Sequence, residues 1–275
     1  MIIKFIKKQL LYKKIKSLNY NQFLNKKKKS NNIVLIEFNS FHILHIIFAY
    51  LSNYFKDKKN LTIKAFYSHI LLSYPLERTL KQILFFYFGN IFNINFFGIY
   101  KSFGVEEFIF PKINNRNKQL SKTHYKKIIS KIKNKKDILK IKIDSILLGD
   151  LIYDSYLTRN KKQRPTVDIH DKDFKEFLFQ FLTLFFAWKE IFKENNVETL
   201  LVSHSCYTMG IPVRLALKKK VLTLEVKENR LKRLDIANLN YYSETTLYPT
   251  IFKKFDKKTK NDCLKHADIN LKKKF

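Results

Sequence analysis

The architecture follows from TLLVSHSCYTMGIPVRLALKKKVLTLEV, residues 199–226. Two apolar runs, 200–202 and 221–226, flank a short polar segment and a helix-like segment. Strand, helix, strand is the repeating unit of a parallel α/β sheet. Residues 203–207 (Ser203, His204, Ser205, Cys206 and Tyr207) then sit at the carboxyl end of the first strand and lead into the helix. Ligands of open α/β sheets bind outside that end. Free backbone N–H groups and the helix dipole favour phosphate or carboxylate there. An imidazole at this place can take a proton or hold a hydroxyl. The competing reading is structural: Ser203 or Ser205 caps the helix and His204 is satisfied by its neighbours.

Working outward, IVLIEF (33–38), a helix-like segment 42–55 and LTIKAFY (61–67) give a second strand–helix–strand unit. In the helix-like segment Leu44, Ile47, Phe48 and Leu51 share one face. An apolar helix follows around 76–88, then a strand or loop around 96–100. FGVEEFIFP (103–111) has a turn glycine, a short strand and a stopping proline. Residues 112–136 are Lys-rich and helical. IDSILLGDLIYDSYL (143–157) reads as an apolar strand or helix start, a Gly-Asp turn and a second apolar segment. Asp173 with Glu176 fits a capping box for the next helix. That helix is apolar nearly all round between 177 and 188, which predicts burial. The predicted fold is α/β, a Rossmann-like parallel sheet flanked by helices. Its predicted parts are a basic amphipathic leader (1–30), a Rossmann-like domain (31–228), and a linker or start of another domain (229–275).

The chain has 275 residues, 45% of them hydrophobic, enough for a substantial core. Its net charge is +31, from 54 Lys and Arg against 23 Asp and Glu. Only seven of the basic residues are Arg. Readers of nucleic acid lean on Arg for bidentate contacts, and none of their motifs is present. The abundance of Lys, Asn, Ile, Phe and Tyr fits AT-rich codon usage, so charge alone is a weak argument for a nucleic-acid partner. A surface this basic still attracts anionic lipid and phosphorylated substrates. Cys206 and Cys263 form no framework or CxxC pair, which suits a reducing cytosol. Lysines interrupt the first 18 residues, so no signal peptide is expected. Ile2, Ile3, Ile6, Leu10, Leu11 and Ile15 fall near helical spacing among those lysines. They read as an amphipathic helix on an anionic membrane, a first helix packed on the domain, or a frayed tail. The uncharged run 82–100 reaches transmembrane length, but Gly89, Asn90, Asn93 and Asn95 divide it into helix, turn and strand.

No GxGxxG, GxxxxGK[ST], HExxH or GxSxG motif is present. Asp171-Lys172-Asp173 matches the DxD metal pattern in form, but it opens a helix, where Asp is expected as a cap. Neither metal nor cofactor is expected. Asp150, Tyr153, Asp154, Tyr156 and Arg159 lie together in GDLIYDSYLTR (149–159). Asp and Tyr bind sugar hydroxyls, and a carboxylate can deprotonate one; a turn aspartate and core-edge tyrosines are the plainer account. EFNSFH (37–42) places Glu37, Asn39, Ser40 and His42 at the first strand-to-helix turn, either lining the same cleft or simply capping the helix. Lys101 and Ser102, in YKSFG (100–104), can meet phosphate.

The segments IYKSFGVEEFIFP, LLGDLIYDSYLTRNKKQRPTVDI and LLVSHSCYTMGIPVRLAL, in that order, resemble bacterial capsule and surface-polysaccharide biosynthesis proteins of the GT-B glycosyltransferase type. The resemblance spans residues 31–226 and is loose residue by residue. It implies two Rossmann-like domains around a cleft, the first for the acceptor and the second for a nucleotide-sugar donor. The chain stops at HADINLKKKF, where a second domain would begin, so it is expected to be the acceptor-side half: a fragment, a degenerate copy or one half of a split enzyme. The expected catalytic residues are His204 and Asp154. Ser203, Ser205, Tyr207, Asp150, Tyr153, Asn39, His42 and Lys101 are the expected substrate contacts. Expected partners are a glycan or lipid-linked acceptor, a nucleotide-sugar only where a second domain supplies it, and an anionic membrane surface. The expected location is cytoplasmic, peripheral on the inner face of the plasma membrane. Two other classes stay open: a non-catalytic scaffold on the membrane surface, and a basic nucleic-acid binder.

Overall fold

Residues 33–38 are apolar on both sides of the strand apart from Glu37, the pattern of a strand covered on both faces. A computed structural model places this strand, β1 (Asn32–Phe38), at the centre of a six-stranded sheet. The structure describes residues 2–23, 30–39, 42–67, 87–159, 166–228, 230–236 and 248–272. Two compact units divide the chain, Met1–Ile236 and Ala237–Phe275.

In the first unit, β2 (Thr62–Tyr67) and β3 (Val105–Ile109) extend the sheet on one side of β1. A small antiparallel hairpin, β4 (Lys142–Ile143) and β5 (Ile146–Leu147), stands apart from it. β6 (Asn196–Val202), β7 (Leu222–Lys227) and β8 (Arg230–Arg233) extend the other side. The order is β3-β2-β1-β6-β7-β8, parallel except for β8. Strands one to three step outward from β1; the chain then returns across the sheet and steps outward again from β6. The connections leaving β1 and β6 therefore diverge, which opens a crevice at their carboxyl ends. This is a Rossmann-like α/β arrangement. β8 puts Arg230, Lys232 and Arg233 on the sheet edge, where charge discourages further strand pairing.

Helices α1 (Ile2–Phe23), α2 (His42–Lys59) and α3 (Phe96–Ser102) go with one face. Val34, Ile36, Phe38, Ile63, Leu201 and Leu224 pack there against Phe48, Phe97, Tyr100 and Tyr12. The first helix is thus held on the domain through Tyr12, which is buried and lies 5.5 Å from the Phe96 ring. Further along come α4 (Asn115–Ile129), the single turn α5 (Lys135–Ile138), α6 (Gly149–Arg159), α7 (Lys172–Glu194) and α8 (Gly210–Lys218). α7 covers the opposite face: Trp188 meets Phe66 of β2 at 5.3 Å. On its outer side it packs against α4, with Phe179 facing Tyr125 and Phe186 facing His124. A helix between a sheet and a second helix must be apolar nearly all round, which accounts for its sequence.

Four local expectations are corrected. Residues 96–100 are helical, not strand or loop, because Phe97 and Tyr100 are buried on the helix and Phe96 packs partly buried beside them. Gly149-Asp150 is no turn; Gly149 begins α6, where a Cβ would collide with the backbone of Ile138 and Leu139. The N-cap of α7 is Asp171, accepting from the Asp173 N–H at 2.9 Å, so the capping box on Asp173 is not formed. Residues 230–233, expected in a linker, are a strand of the sheet. The second unit carries α9 (Tyr248–Lys254) and α10 (Lys257–Lys272), the latter with Asp256 bonding the Thr259 N–H and hydroxyl. Among the described residues no helix is long and apolar enough to cross a membrane.

Candidate functional site

Strand registry sets the site. Ile36 pairs with Leu201 and Val202 pairs with Glu225, so Glu37 and Glu225 flank the end of β6 from either side. Both carboxylates are buried. A buried carboxylate is tolerated when donors converge on it. Glu37 accepts the Ser203 N–H at 2.6 Å and the Ser203 hydroxyl at 2.8 and 2.9 Å. Glu225 accepts the Ser205 hydroxyl at 3.3 Å. Two serine–carboxylate contacts thus pin the strand end to its neighbours, and His204 stands exposed between them.

The imidazole is itself oriented. His204 Nδ1 lies 2.8 Å from Ser203 Oγ. The hydroxyl has one proton, and its geometry to Glu37 directs that proton to the carboxylate, which can only accept. Ser203 Oγ therefore accepts from His204 Nδ1–H. That fixes the tautomer and leaves the lone pair of a neutral imidazole on Nε2, in an exposed residue. The chain carboxylate–hydroxyl–imidazole is the wrong order for a nucleophilic serine, in which imidazole stands between serine and carboxylate. Ser203 is a buried relay, and the basic atom at the surface belongs to His204.

The next turn closes in from α6. Gly210 is required here, since a Cβ would lie 2.6 Å from both Leu151 Cδ2 and the Ser205 carbonyl. Burial, with the charges of Glu225 and Asp154 adding to it, pushes the Cys206 thiol up to about 11. Burial, then Cys206 and Asp154, also raises Tyr207. Asp154 therefore lies close enough to both for its charge to be felt. Tyr207 is 38% exposed and holds a left-handed backbone, φ 53°, which costs a tyrosine energy unless the fold imposes it.

At the end of β1, Asn39 is buried. Its N–H donates to the Tyr100 hydroxyl at 3.2 Å, and Tyr100 donates to the Glu37 carbonyl at 2.8 Å. Burial drives the Tyr100 hydroxyl well above its ordinary value; the Asn39 N–H opposes this and the Glu37 charge adds to it. Asn39 acts here through its backbone, whose carbonyl lies 2.8 Å from His45 Nε2.

The structure thus gathers His204, Ser203, Ser205, Tyr207 and Asp154 at one strand end. Three other expected substrate contacts have partners within the fold. Asp150 pairs with the buried Arg214 at 2.5 Å and fastens α6 to α8. The Tyr153 hydroxyl bonds Thr166 at 3.1 Å. Lys101 donates to the Asn90 carbonyl at 2.6 Å, with burial lowering its pKa. Ser40 and the side chain of His42 lie outside the described residues. Glu225 and the relay role of Glu37 were missed; an acidic residue inside an apolar strand was the available signal. Cavities of about 330, 500 and 400 Å³ line α4 and α7 instead, and none of the three includes a residue of 203–207. No set of three or more His, Cys, Asp or Glu able to hold a metal ion occurs among the described residues. Comparison with protein-family models, curated proteins and solved structures returned no match to the chain.

Proposed function

We propose that the first unit is the acceptor-side domain of a GT-B-type glycosyltransferase-like protein of surface-polysaccharide biosynthesis. The supporting observation is the exposed His204, whose Nδ1 is held by Ser203 and, through it, by Glu37 at the β1/β6 switch point. In transfer, the acceptor hydroxyl oxygen bonds to the anomeric carbon of the donor sugar. Its proton passes to His204 Nε2, and the bond to the nucleotide's terminal phosphate breaks. In this reading Tyr207, and Asp154 whose charge reaches Tyr207 and Cys206, hold neighbouring sugar hydroxyls. The nucleotide-sugar comes from a second domain, and the basic surface favours an anionic glycan or lipid-phosphate acceptor. Such a protein works on the cytoplasmic face of the membrane.

The test titrates the purified chain with glycan and lipid-linked acceptors, then adds candidate partner domains and nucleotide-sugars. Binding should survive His204→Asn while turnover falls by about 10²–10⁴, the contribution of a positioned base. A chain that binds no glycan and supports no turnover with any partner sinks the reading.

A further inference from the structure

The segment before α3 has no part in the crevice, yet it exposes a cluster of large apolar side chains. Tyr87, Phe88, Ile91, Phe92 and Ile94 are 50%, 50%, 66%, 64% and 43% exposed. Their backbone is fixed. The N–H of Phe92 bonds the Phe88 carbonyl at 2.9 Å, that of Ile94 bonds Gly89 at 3.0 Å, and that of Phe97 bonds Ile94 at 3.2 Å. Lys101 Nζ ties down the Asn90 carbonyl, and the Phe88 and Phe92 rings stack at 6.1 Å. Gly89 admits the Phe97 ring where a Cβ would sit 2.5 Å away. The result is a rigid apolar knob.

α1 runs beside it. Gln9 reaches Asn95 at 3.4 Å, and Lys16 Cδ lies 3.1 Å from where a Cβ on Gly98 would be. Gln9, Lys13, Lys16 and Tyr20 follow the spacing of one helical stripe, so lysines border the knob. The two segments themselves carry charge of a single sign. Residues 1–30 carry lysines at 4, 7, 8, 13, 14, 16 and 26–29 with no Asp or Glu, and 87–104 contain no Asp or Glu either. Exposed aromatic and branched side chains beside the lysines of α1 match a lipid–water interface carrying negative charge.

We propose that this knob and the adjoining flank of α1 bind the surface of an anionic phospholipid bilayer. Phe88, Ile91 and Phe92 enter the boundary between headgroups and acyl chains, and Lys13 and Lys16 meet lipid phosphates. Phe96, just beyond the knob, packs at 5.3 Å on His45, whose Nε2 lies 2.8 Å from the Asn39 carbonyl. The proposal stands whether or not His204 is a base.

The test uses the full chain with phosphatidylglycerol–phosphatidylcholine vesicles and with pure phosphatidylcholine. Sedimentation should show binding to the anionic vesicles that weakens with added salt. Ile91→Ser with Phe92→Ser should weaken it about tenfold to a hundredfold, since two large side chains lose their burial. Phe92→Trp supplies a second readout: the introduced indole should shift to the blue and be quenched by brominated lipid, whereas the buried Trp188 should not. Absence of binding, binding unchanged by the double serine variant, or an unquenched indole each overturns the proposal. So does self-association abolished by the serine variant without vesicle binding, which would assign the knob to a second copy of the chain.

Discussion

Replacing Ser203 by Ala tests the relay directly. The hydroxyl donates to Glu37 at 2.8 and 2.9 Å and accepts from His204 at 2.8 Å, in a residue 4% exposed. A hydrogen bond to a charged group is worth about 1.5–3 kcal/mol. Glu37 keeps the Ser203 N–H at 2.6 Å, so the loss belongs near the lower end, about 1.5–2 kcal/mol. For a domain of this size each kcal/mol lowers Tm by about 2–4 °C, giving a drop of about 3–8 °C. The equivalent change on the other side, Ser205→Ala, removes a longer contact of 3.3 Å and should cost only about 0.5–1 kcal/mol. Urea unfolding followed by the fluorescence of Trp188, the chain's one tryptophan and fully buried, measures both. A cycle with Glu37→Gln should show coupling of about 1 kcal/mol or more for the 203 pair. Ser203→Ala costing no more than Ser205→Ala, or no coupling to Glu37, would refute the reasoning.

Asp150→Asn should destabilise the first unit by about 3 kcal/mol in the same urea assay, because it strands the Arg214 charge at 2% side-chain exposure; a cost below about 1 kcal/mol would show the pair to be dispensable. Cys206, with its thiol pushed up to about 11, should be about one part in a thousand thiolate at pH 8. Its alkylation, followed by peptide mass spectrometry, should rise about tenfold per pH unit to beyond pH 10, and a plateau near pH 9 would contradict the assignment. The sign is that of an acid whose charged form burial disfavours, so reactivity appears only as pH approaches the raised value.

The sheet was legible because its strands are apolar runs separated by helical periods. IVLIEF and LTIKAFY declare β1 and β2 without help from tertiary context. β8 was not, since RLKR carries no apolar signal and becomes a strand only because the β7 edge offers partners. Nor was the helix at 96–102: its aromatic cluster fits strand or helix alike, and burial against Tyr12 and Phe38 decides for helix. At the site, position along the chain located His204 at a strand end. The partners of its neighbours, Glu37 and Glu225, come from strands 166 and 20 residues away in sequence, and no local pattern links them. Asp150 and Lys101 have the residue types of binding groups, but their commitments to Arg214 and Asn90 exist only in three dimensions.

The two glutamates decide what the 203–207 segment is for. A leucine at either position would pack well in an apolar sheet, and replacing buried ionic contacts by apolar residues is often neutral or stabilising. Stability alone therefore does not require Glu37 or Glu225. What they supply is position: each takes hold of one serine, so a segment without regular structure leaves β6 on a fixed path. A helix cap needs one such contact and would place its serine at the start of the helix. Here neither serine does that; the N-cap of α8 is Met209, and the 3-10 turn before it begins after Cys206 with no side-chain cap. The contacts face back toward the sheet, and the residue they hold still between them is the exposed His204. That arrangement costs desolvation of two carboxylates and strain at Tyr207, and its one evident product is a histidine of defined tautomer at the switch point.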